Sequence, residues 1–214
     1  MDKIAQITSI AAPLPQADID TDMVLPAQFL LRLDKNLGPF AFASARKQGG
    51  FVLDEPRYKE AQILVAGPRF GIGSSREQAV WALLDAGIRC IIAPSFGEIF
   101  YNNALRNGLL VLSLAPEAQA LAMTAAQELQ AVTVDLESQH VVLPDGVTAG
   151  FEISAHHRSA LLRGLDETEH LLLEHEADIA AFEAQQAQTA PWLRISDEAL
   201  STFKFYSPQE GDTV

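Results

Sequence analysis

The stretch "QILVAGPRFGIGSSREQAVWALLDAGIRCIIAP", residues 62–94, decides the fold of this chain. Its first six residues are apolar and β-rich, which is typical of a short buried strand. A glycine-serine loop follows, and apolar residues then recur at helical spacing from Ala79 to Leu84 until Gly87 supplies a helix stop. The segment "IRCIIAP" indicates a second buried strand. The stretch therefore predicts a strand, a loop, a helix and another strand in succession.

The same alternation continues downstream. Ser95 and Glu98 have the spacing of a capping box, which predicts a second helix, "FGEIFYNNALRN", ending at Gly108. The segment "LLVLSL" predicts a third strand, and Pro116 opens an alanine-rich helix that extends to about Gln130. Because strands and helices alternate at these lengths, we expect a parallel βαβαβ unit with right-handed crossovers.

The regions on either side of this unit differ from it. The segments "IAQITSI", "VTVDLESQHVVLPDGV" and "FEIS" predict additional strands, some of them antiparallel around a polar turn. A helical segment rich in leucine, alanine and glutamate follows Ser159. The fold class is therefore α/β with additional antiparallel strands and a helical C-terminal segment. We expect a single domain over residues 1–190 and a peripheral acidic tail over residues 191–214.

Composition narrows the class of function. The chain has 214 residues, of which 48% are hydrophobic, so it can bury a sizeable core. Its 28 acidic and 15 basic residues give a net charge of -13, which would repel a phosphate backbone and excludes nucleic acid as a partner. The first residues lack the apolar region of a signal peptide, and no apolar run is long enough for a bilayer. We therefore expect a cytoplasmic protein without membrane association.

The sequence offers no set of metal ligands. Cys90, the single cysteine, lies in an apolar run, and one thiolate holds neither zinc nor an iron–sulfur cluster. The five histidines show none of the spacings of a metal motif. They are His140, His156, His157, His170 and His175. We predict no metal site and no cofactor bound by this chain.

The glycine-serine loop predicts an anion site. A helix that begins at Ser74 or Ser75 directs its unpaired N–H groups and positive dipole end at whatever lies in front of it. Gly73 lets the backbone approach a ligand, and Arg76 adds a bidentate donor for a carboxylate or phosphate. The alternative is that Ser74 and Glu77 form a capping box that only starts the helix. The loop matches neither a Walker A motif nor a dinucleotide fingerprint.

These motifs resemble one family. The stretch from "FGIGSSREQAVWALLDAG" through "IAPSFGEIFYNNALRNGLLVL" closely resembles the core of the 3-isopropylmalate dehydratase small-subunit family, within the aconitase superfamily, where a "GSSRE" loop precedes this helix and "APSF" follows the next strand. The segment "DIDTDMVLPAQFL" resembles a segment upstream of this core in the same family, and "GLDETEHLLLEHEADIAAFEAQQ" resembles the C-terminal helices of that family. The resemblance implies a swivelling β/β/α domain.

The resemblance also implies a reaction and roles for individual residues. The family isomerises 2-isopropylmalate and 3-isopropylmalate by dehydration and rehydration, in leucine biosynthesis. Ser74 is then the catalytic base, and Ser75 and Arg76 bind a substrate carboxylate, with Gly73 close to the substrate. A serine hydroxyl becomes a base only where a helix N-terminus, loop N–H groups and a guanidinium stabilise its anion, which this loop offers.

Three residues outside the loop take implied roles. Asp22 resembles an acid that orients catalytic groups; the alternative is a turn-forming cap. Arg32 resembles a second carboxylate-binding arginine; the alternative is a solvated surface arginine. Lys35 offers a further cation for the substrate in the same loop.

One chemical requirement is unmet within the chain. Dehydration needs a Lewis acid to accept the hydroxide. The resemblance implies that a separate large subunit supplies it on a 4Fe–4S cluster, with the active site formed between the two chains.

The sequence departs from the family pattern in two places. Ile72, Gln78 and Val80 stand where the family usually has cysteine, histidine and proline, and residues 31–38 differ from the usual loop thought to read the substrate side chain. Two alternatives to isopropylmalate isomerisation therefore stay open here. One is a hydro-lyase for another hydroxy-dicarboxylate such as a methylmalate, and the other is a non-catalytic module that binds a carboxylate.

Overall fold

The computed structural model describes residues 1–31, 36–73, 76–193 and 195. Contacts within the chain group it into two compact units, Met1–Thr168 and Glu169–Val214. The organisation expected from the sequence, a domain over residues 1–190 and a tail over 191–214, stays a prediction. Among the described residues, no helix is both long and apolar enough to cross a membrane.

One mixed sheet organises the first unit. Its seven strands lie in the order β4-β3-β2-β1-β5-β6-β7 within the described chain. β1 pairs in parallel with β2 on one side and antiparallel with β5 on the other. It therefore joins a parallel half, β1 to β4, to an antiparallel half, β5 to β7. The strands are β1 (Gln6–Leu14), β2 (Ile63–Ala66), β3 (Cys90–Ile92), β4 (Leu110–Leu112), β5 (Ala131–Asp135), β6 (His140–Val142) and β7 (Thr148–Gly150).

Helices connect the parallel strands as expected. The segment between β2 and β3 contains α3, and the segment between β3 and β4 contains α4, so the predicted βαβαβ unit is confirmed. Most of the described part of the second unit belongs to α7, which has a non-helical residue at His175. The helices are α1 (Thr21–Val24), α2 (Ala43–Lys47), α3 (Glu77–Asp85), α4 (Glu98–Arg106), α5 (Pro116–Gln127), α6 (Ala155–Arg163) and α7 (Glu167–Thr189).

The core lies on both faces of the parallel half. All residues of β2, β3 and β4 are buried. Parallel strands covered on both faces appear in sequence as continuous apolar runs, which is why these three could be predicted. On α3 the buried residues are Ala79, Val80, Ala82 and Leu83, whereas Leu84 at the end of the expected apolar face is only half-buried.

Two predictions about helix starts were wrong. Helix α3 begins at Glu77 rather than at Ser74 or Ser75, with the extended residue Arg76 as its N-cap. Ser95 does not cap α4, because its hydroxyl accepts the Arg69 N–H at 3.0 Å.

Two further differences concern the extent of predicted elements. The segment "FEIS" is not a strand, because the chain leaves the sheet after Gly150. Helix α5 ends at Gln127, slightly earlier than expected.

Candidate functional site

Three loops lie side by side at the carboxyl ends of parallel strands. They are the DIDTD loop (residues 18–22), the glycine loop (residues 67–73) and the APSF loop (residues 93–96). On one side, Gly71 N–H donates to the Ile19 carbonyl at 2.7 Å, and Thr21 N–H donates to the Ile72 carbonyl at 3.0 Å. The glycine loop thus extends the parallel pairing of β1 and β2 beyond the strands themselves.

The APSF loop supports the glycine loop from its other side. Phe70 N–H donates to the Ser95 carbonyl at 3.0 Å, and Gly97 N–H donates to the Phe70 carbonyl at 2.8 Å. The Phe70 ring packs edge-on against Phe100, with 5.3 Å between ring centroids, and against Phe96 at 6.5 Å. Backbone pairing and an aromatic cluster therefore fix the start of the glycine loop.

Two glycines in this loop have different surroundings. Gly71 has φ +74°, and a Cβ there would lie 2.2 Å from Cγ of Phe100, so the backbone must approach that ring directly. Gly73 has φ +97°, but its nearest neighbours would be Asp20 Cβ at 3.7 Å and Thr21 Oγ1 at 3.8 Å. Gly71 is therefore needed for packing, whereas a Cβ at Gly73 would make only ordinary van der Waals contacts.

Asp22 of the DIDTD loop contacts Arg76, the N-cap of α3. The Arg76 guanidinium donates to a carboxylate oxygen of Asp22. The Arg76 side chain is 18% exposed, whereas that of Asp22 is 54% exposed. Asp20 is the residue that caps α1, by accepting the Met23 N–H at 2.7 Å. The carboxylate of Asp22 is thus directed to the arginine rather than to the helix cap.

The structure brings together three of the seven residues for which the sequence predicts a role. Asp22, Gly73 and Arg76 lie in this one region. The remaining four lie outside the described residues. They are Ser74, Ser75, Arg32 and Lys35. In the sequence, Ser74 and Ser75 directly follow the glycine loop and precede Arg76. The roles of all seven residues stay predictions.

A side-chain network at the start of α3 was missed from the sequence. The Asn107 amide donates to Oε1 of Glu77 at 2.7 Å and accepts the Trp81 indole N–H at 2.8 Å. The sequence suggested that Glu77 serves as the capping partner of Ser74. Asn107 lies 30 residues further along the chain, so no local spacing rule could have found the contact.

An ion pair between the glycine loop and the DIDTD loop was also not predicted from the sequence. Arg69 contacts Asp18, and these residues have φ +58° and φ +60°. Neither residue is a glycine, and such backbone conformations cluster at functional sites. The Asp18 N–H also donates to the Pro68 carbonyl at 3.0 Å. The pair therefore joins the DIDTD loop to the glycine loop, as Asp22 joins the DIDTD loop to Arg76 at the start of α3.

Cys90 takes no part in the site. It is completely buried in β3, and burial raises the pKa of its thiol. A thiol that stays protonated is neither a nucleophile nor a ready metal ligand. Cys90 is therefore a core residue.

Comparison with known families matches three consecutive parts of the chain. Residues 1–117 match the aconitase C-terminal domain. Residues 119–155 match a LeuD family model, LeuD_N. Residues 173–195 match the C-terminal domain of the 3-isopropylmalate dehydratase small subunit.

Individual relatives agree with these matches. The 3-isopropylmalate dehydratase small subunit of Dinoroseobacter shibae is 50% identical over 202 residues, which cover 90% of this chain and 100% of the relative. That of Agrobacterium fabrum is 46% identical over 201 residues, with the same coverage. The crystal structure of 3-isopropylmalate dehydratase (LeuD) from Methanocaldococcus jannaschii is similar with a TM-score of 0.60 and 27% identity, over 83% of this chain and 99% of that one.

Proposed function

Since the chain belongs to the family of 3-isopropylmalate dehydratase small subunits, we propose that its glycine loop and the residues that follow it, up to Arg76, bind a carboxylate of isopropylmalate and supply the base of the reaction. The chain is the small subunit of a hydro-lyase that works with a large subunit in leucine biosynthesis. The names of the relatives favour this activity over a related hydro-lyase for methylmalates and over a non-catalytic module.

The reaction makes three chemical demands. A base must remove a weakly acidic proton next to a carboxylate. Cationic groups must hold that carboxylate while negative charge builds on it. A Lewis acid must accept the departing hydroxide. We assign the first two demands to this chain.

One observation carries the proposal, namely the contact between Arg76 and Asp22. Arg76 immediately precedes α3, where the free N–H groups and the dipole of the helix favour an anion. Asp22 accepts a hydrogen bond from one side of the Arg76 guanidinium and so fixes the orientation of that group. The other N–H groups of the guanidinium are then left for a substrate carboxylate. Asp22 thus orients Arg76, and Arg76 binds the carboxylate.

The other residues complete this assignment. Ser74 acts as the base, and the same cationic surroundings that bind the substrate stabilise its alkoxide. Ser75 adds a hydrogen bond to the carboxylate, and Gly73, which has no side chain, lets the backbone come close to the substrate. Arg32 and Lys35 hold the second carboxylate of the dicarboxylic substrate.

The Lewis acid belongs to the partner. A cluster needs several thiolates, and the single cysteine of this chain is buried with its thiol protonated, so the residues present do not fit a cluster. We propose that the large subunit holds a 4Fe–4S cluster and that the substrate binds between the two subunits.

The first experiment measures alkene formation and consumption by ultraviolet absorbance, with the small subunit mixed with the cluster-loaded large subunit of the same organism. Isopropylmalate and a set of methylmalates are offered in parallel. Ser74→Ala should lower kcat by about 10²–10⁴-fold, because a general base is lost. Ser113→Ala is the control, since Ser113 is an exposed serine that directly follows β4, and this variant should leave kcat unchanged.

Each other outcome has a clear meaning. Turnover retained in Ser74→Ala contradicts the assignment of the base. A preference of the unmodified pair for a methylmalate contradicts the substrate. Binding of isopropylmalate without any turnover by the unmodified pair would instead favour the non-catalytic module.

A further inference from the structure

One side-chain amide connects the end of α4 to the first two turns of α3. Nδ2 of Asn107 donates to Oε1 of Glu77 at 2.7 Å and to the Asn103 carbonyl at 2.8 Å. Oδ1 of Asn107 accepts the Trp81 indole N–H at 2.8 Å. Glu77 and Trp81 are four residues apart and therefore lie on the same face of α3, where a single amide reaches both.

The orientation of this amide is determined by its partners. An indole N–H only donates, whereas a carboxylate and a backbone carbonyl only accept. Rotating the Asn107 amide by half a turn would break all three hydrogen bonds at once. Asn107 is itself the C-cap of α4, so its backbone position is set by that helix. The amide is therefore a fixed donor aimed at Glu77.

The Glu77 carboxylate lies at the start of α3, where the substrate carboxylate is proposed to bind. Glu77 is the first residue of α3 and directly follows Arg76. A carboxylate at the first helical position lies close to the free N–H groups and the positive dipole end of its own helix. Those N–H groups and the positive end of the dipole are what a bound substrate carboxylate requires. An unrestrained Glu77 would compete with the substrate for them.

We propose that Asn107 is a positioning residue that holds the Glu77 carboxylate against α4, away from the end of α3 where the substrate binds. The inference rests on the proposed function, in which the glycine loop and the start of α3 bind a carboxylate of isopropylmalate. Asn107 touches no substrate atom and acts only through Glu77.

The test measures KM and kcat for isopropylmalate with the reconstituted two-subunit enzyme. Asn107→Ala should raise KM by about two- to fivefold, the range of charge effects at exposed helix ends, with a smaller change in kcat. The double variant Asn107→Ala with Glu77→Gln should return KM to its original value, because a neutral amide does not compete for the anion site. Trp81→Phe is the matched control. It removes the other hydrogen bond of the same amide and should leave KM unchanged.

A second substitution keeps the test decisive if Asn107→Ala folds poorly. Asn107→Asp keeps the size of the side chain and an acceptor for Trp81 but repels Glu77, so it should raise KM further, again reversibly by Glu77→Gln. The thermal unfolding of each variant is followed by circular dichroism to exclude a loss of fold.

The proposed function is supported if the unmodified pair turns over isopropylmalate and Ser74→Ala does not. With that established, two results would overturn this inference alone. One is an unchanged KM in Asn107→Ala and Asn107→Asp. The other is a raised KM that Glu77→Gln does not restore, because a purely structural defect would not be rescued by removing a charge. An unmodified pair without turnover overturns the proposed function and this inference together.

Discussion

The parallel and antiparallel halves of the sheet share β1 but differ in burial and in the loops that connect their strands. In β2, β3 and β4 all residues are buried. In β5 and β6 buried residues alternate with exposed or half-buried ones. The DIDTD, glycine and APSF loops extend from the parallel strands, whereas short polar turns connect β5, β6 and β7.

This difference indicates that the parallel half positions the site, whereas the antiparallel half mainly covers the core. A strand covered on both faces has little freedom to move, so the loops at its carboxyl end are held accurately, which suits a site assembled from several strands. The antiparallel half covers the core with one face and meets water with the other. The same kind of substitution should therefore have different consequences in the two halves.

The largest contrast is expected between two glycines with nearly the same positive φ. Gly71 in the glycine loop has φ +74°, and Gly146 in the turn before β7 has φ +75°. Alanine costs about 1–2 kcal/mol in this conformation at either position. Gly71→Ala also forces Cβ into the Phe100 ring, which adds about 1–3 kcal/mol, whereas a Cβ at Gly146 meets nothing within 4 Å.

Denaturant unfolding of both variants and turnover of the two-subunit enzyme check this contrast. Gly71→Ala should lose more stability and also turnover, because the glycine loop shifts. Gly146→Ala should keep its turnover. Equal losses of stability in the two variants would show that close packing beneath the glycine loop does not matter.

A smaller contrast is expected for two valines. Val65 in β2 is fully buried, and Val142 in β6 is 40% exposed. Val65→Ala should lower the free energy of unfolding by about 2–3 kcal/mol, because it removes buried methyl groups and leaves a cavity. Val142→Ala should cost less than about 1 kcal/mol. Similar costs in urea unfolding would mean that the two halves are equally well packed.

The smallest effect concerns acid stability in the antiparallel half. The Ser138 N–H donates to Asp135 at 2.8 Å, and this hydrogen bond lowers the pKa of the Asp135 carboxyl from its ordinary value of 3.8. Folding therefore favours the ionised form. The resulting stability is present above pH 3.8 and is lost as the pH falls through the lower folded pKa.

Removing this carboxyl group should make the loss of stability below about pH 4 slightly less steep. Urea unfolding midpoints of Asp135→Asn and of the unmodified chain, measured at several pH values from neutral to acidic, provide the check. An unchanged slope would mean that Asp135 ionises alike in the folded and unfolded chains.

The sequence predicted the parallel half well because its signals are local. Apolar runs, glycine stops and helical spacing each lie within a few residues, so the βαβαβ unit could be recognised. The motifs in "GSSRE" and "APSF" also predicted the family and the hydro-lyase activity, which the relatives confirm. The roles of all seven site residues stay predictions, namely Asp22, Arg32, Lys35, Gly73, Ser74, Ser75 and Arg76.

Contacts between distant parts of the chain could not be predicted in this way. Asp22 and Arg76 are 54 residues apart, and Glu77 and Asn107 are 30 residues apart. The capping box expected at Ser95 failed for a related reason. Its hydroxyl had a competing donor, the Arg69 N–H, that comes from another loop. Local spacing indicates which hydrogen bonds are available but not which distant group takes them.

Strand β1, which both halves of the sheet share, also has a consequence for folding during synthesis on the ribosome. Gln6 of β1 pairs with Asp135 of β5. At a synthesis rate of ~5–20 residues per second, roughly 6–26 s pass between the addition of these two residues. During that time the nascent chain can dock β2 on one side of β1, but the other edge has no strand to pair with. An open strand edge is a template for aggregation, so this edge of β1 stays exposed to that risk until β5 has been made.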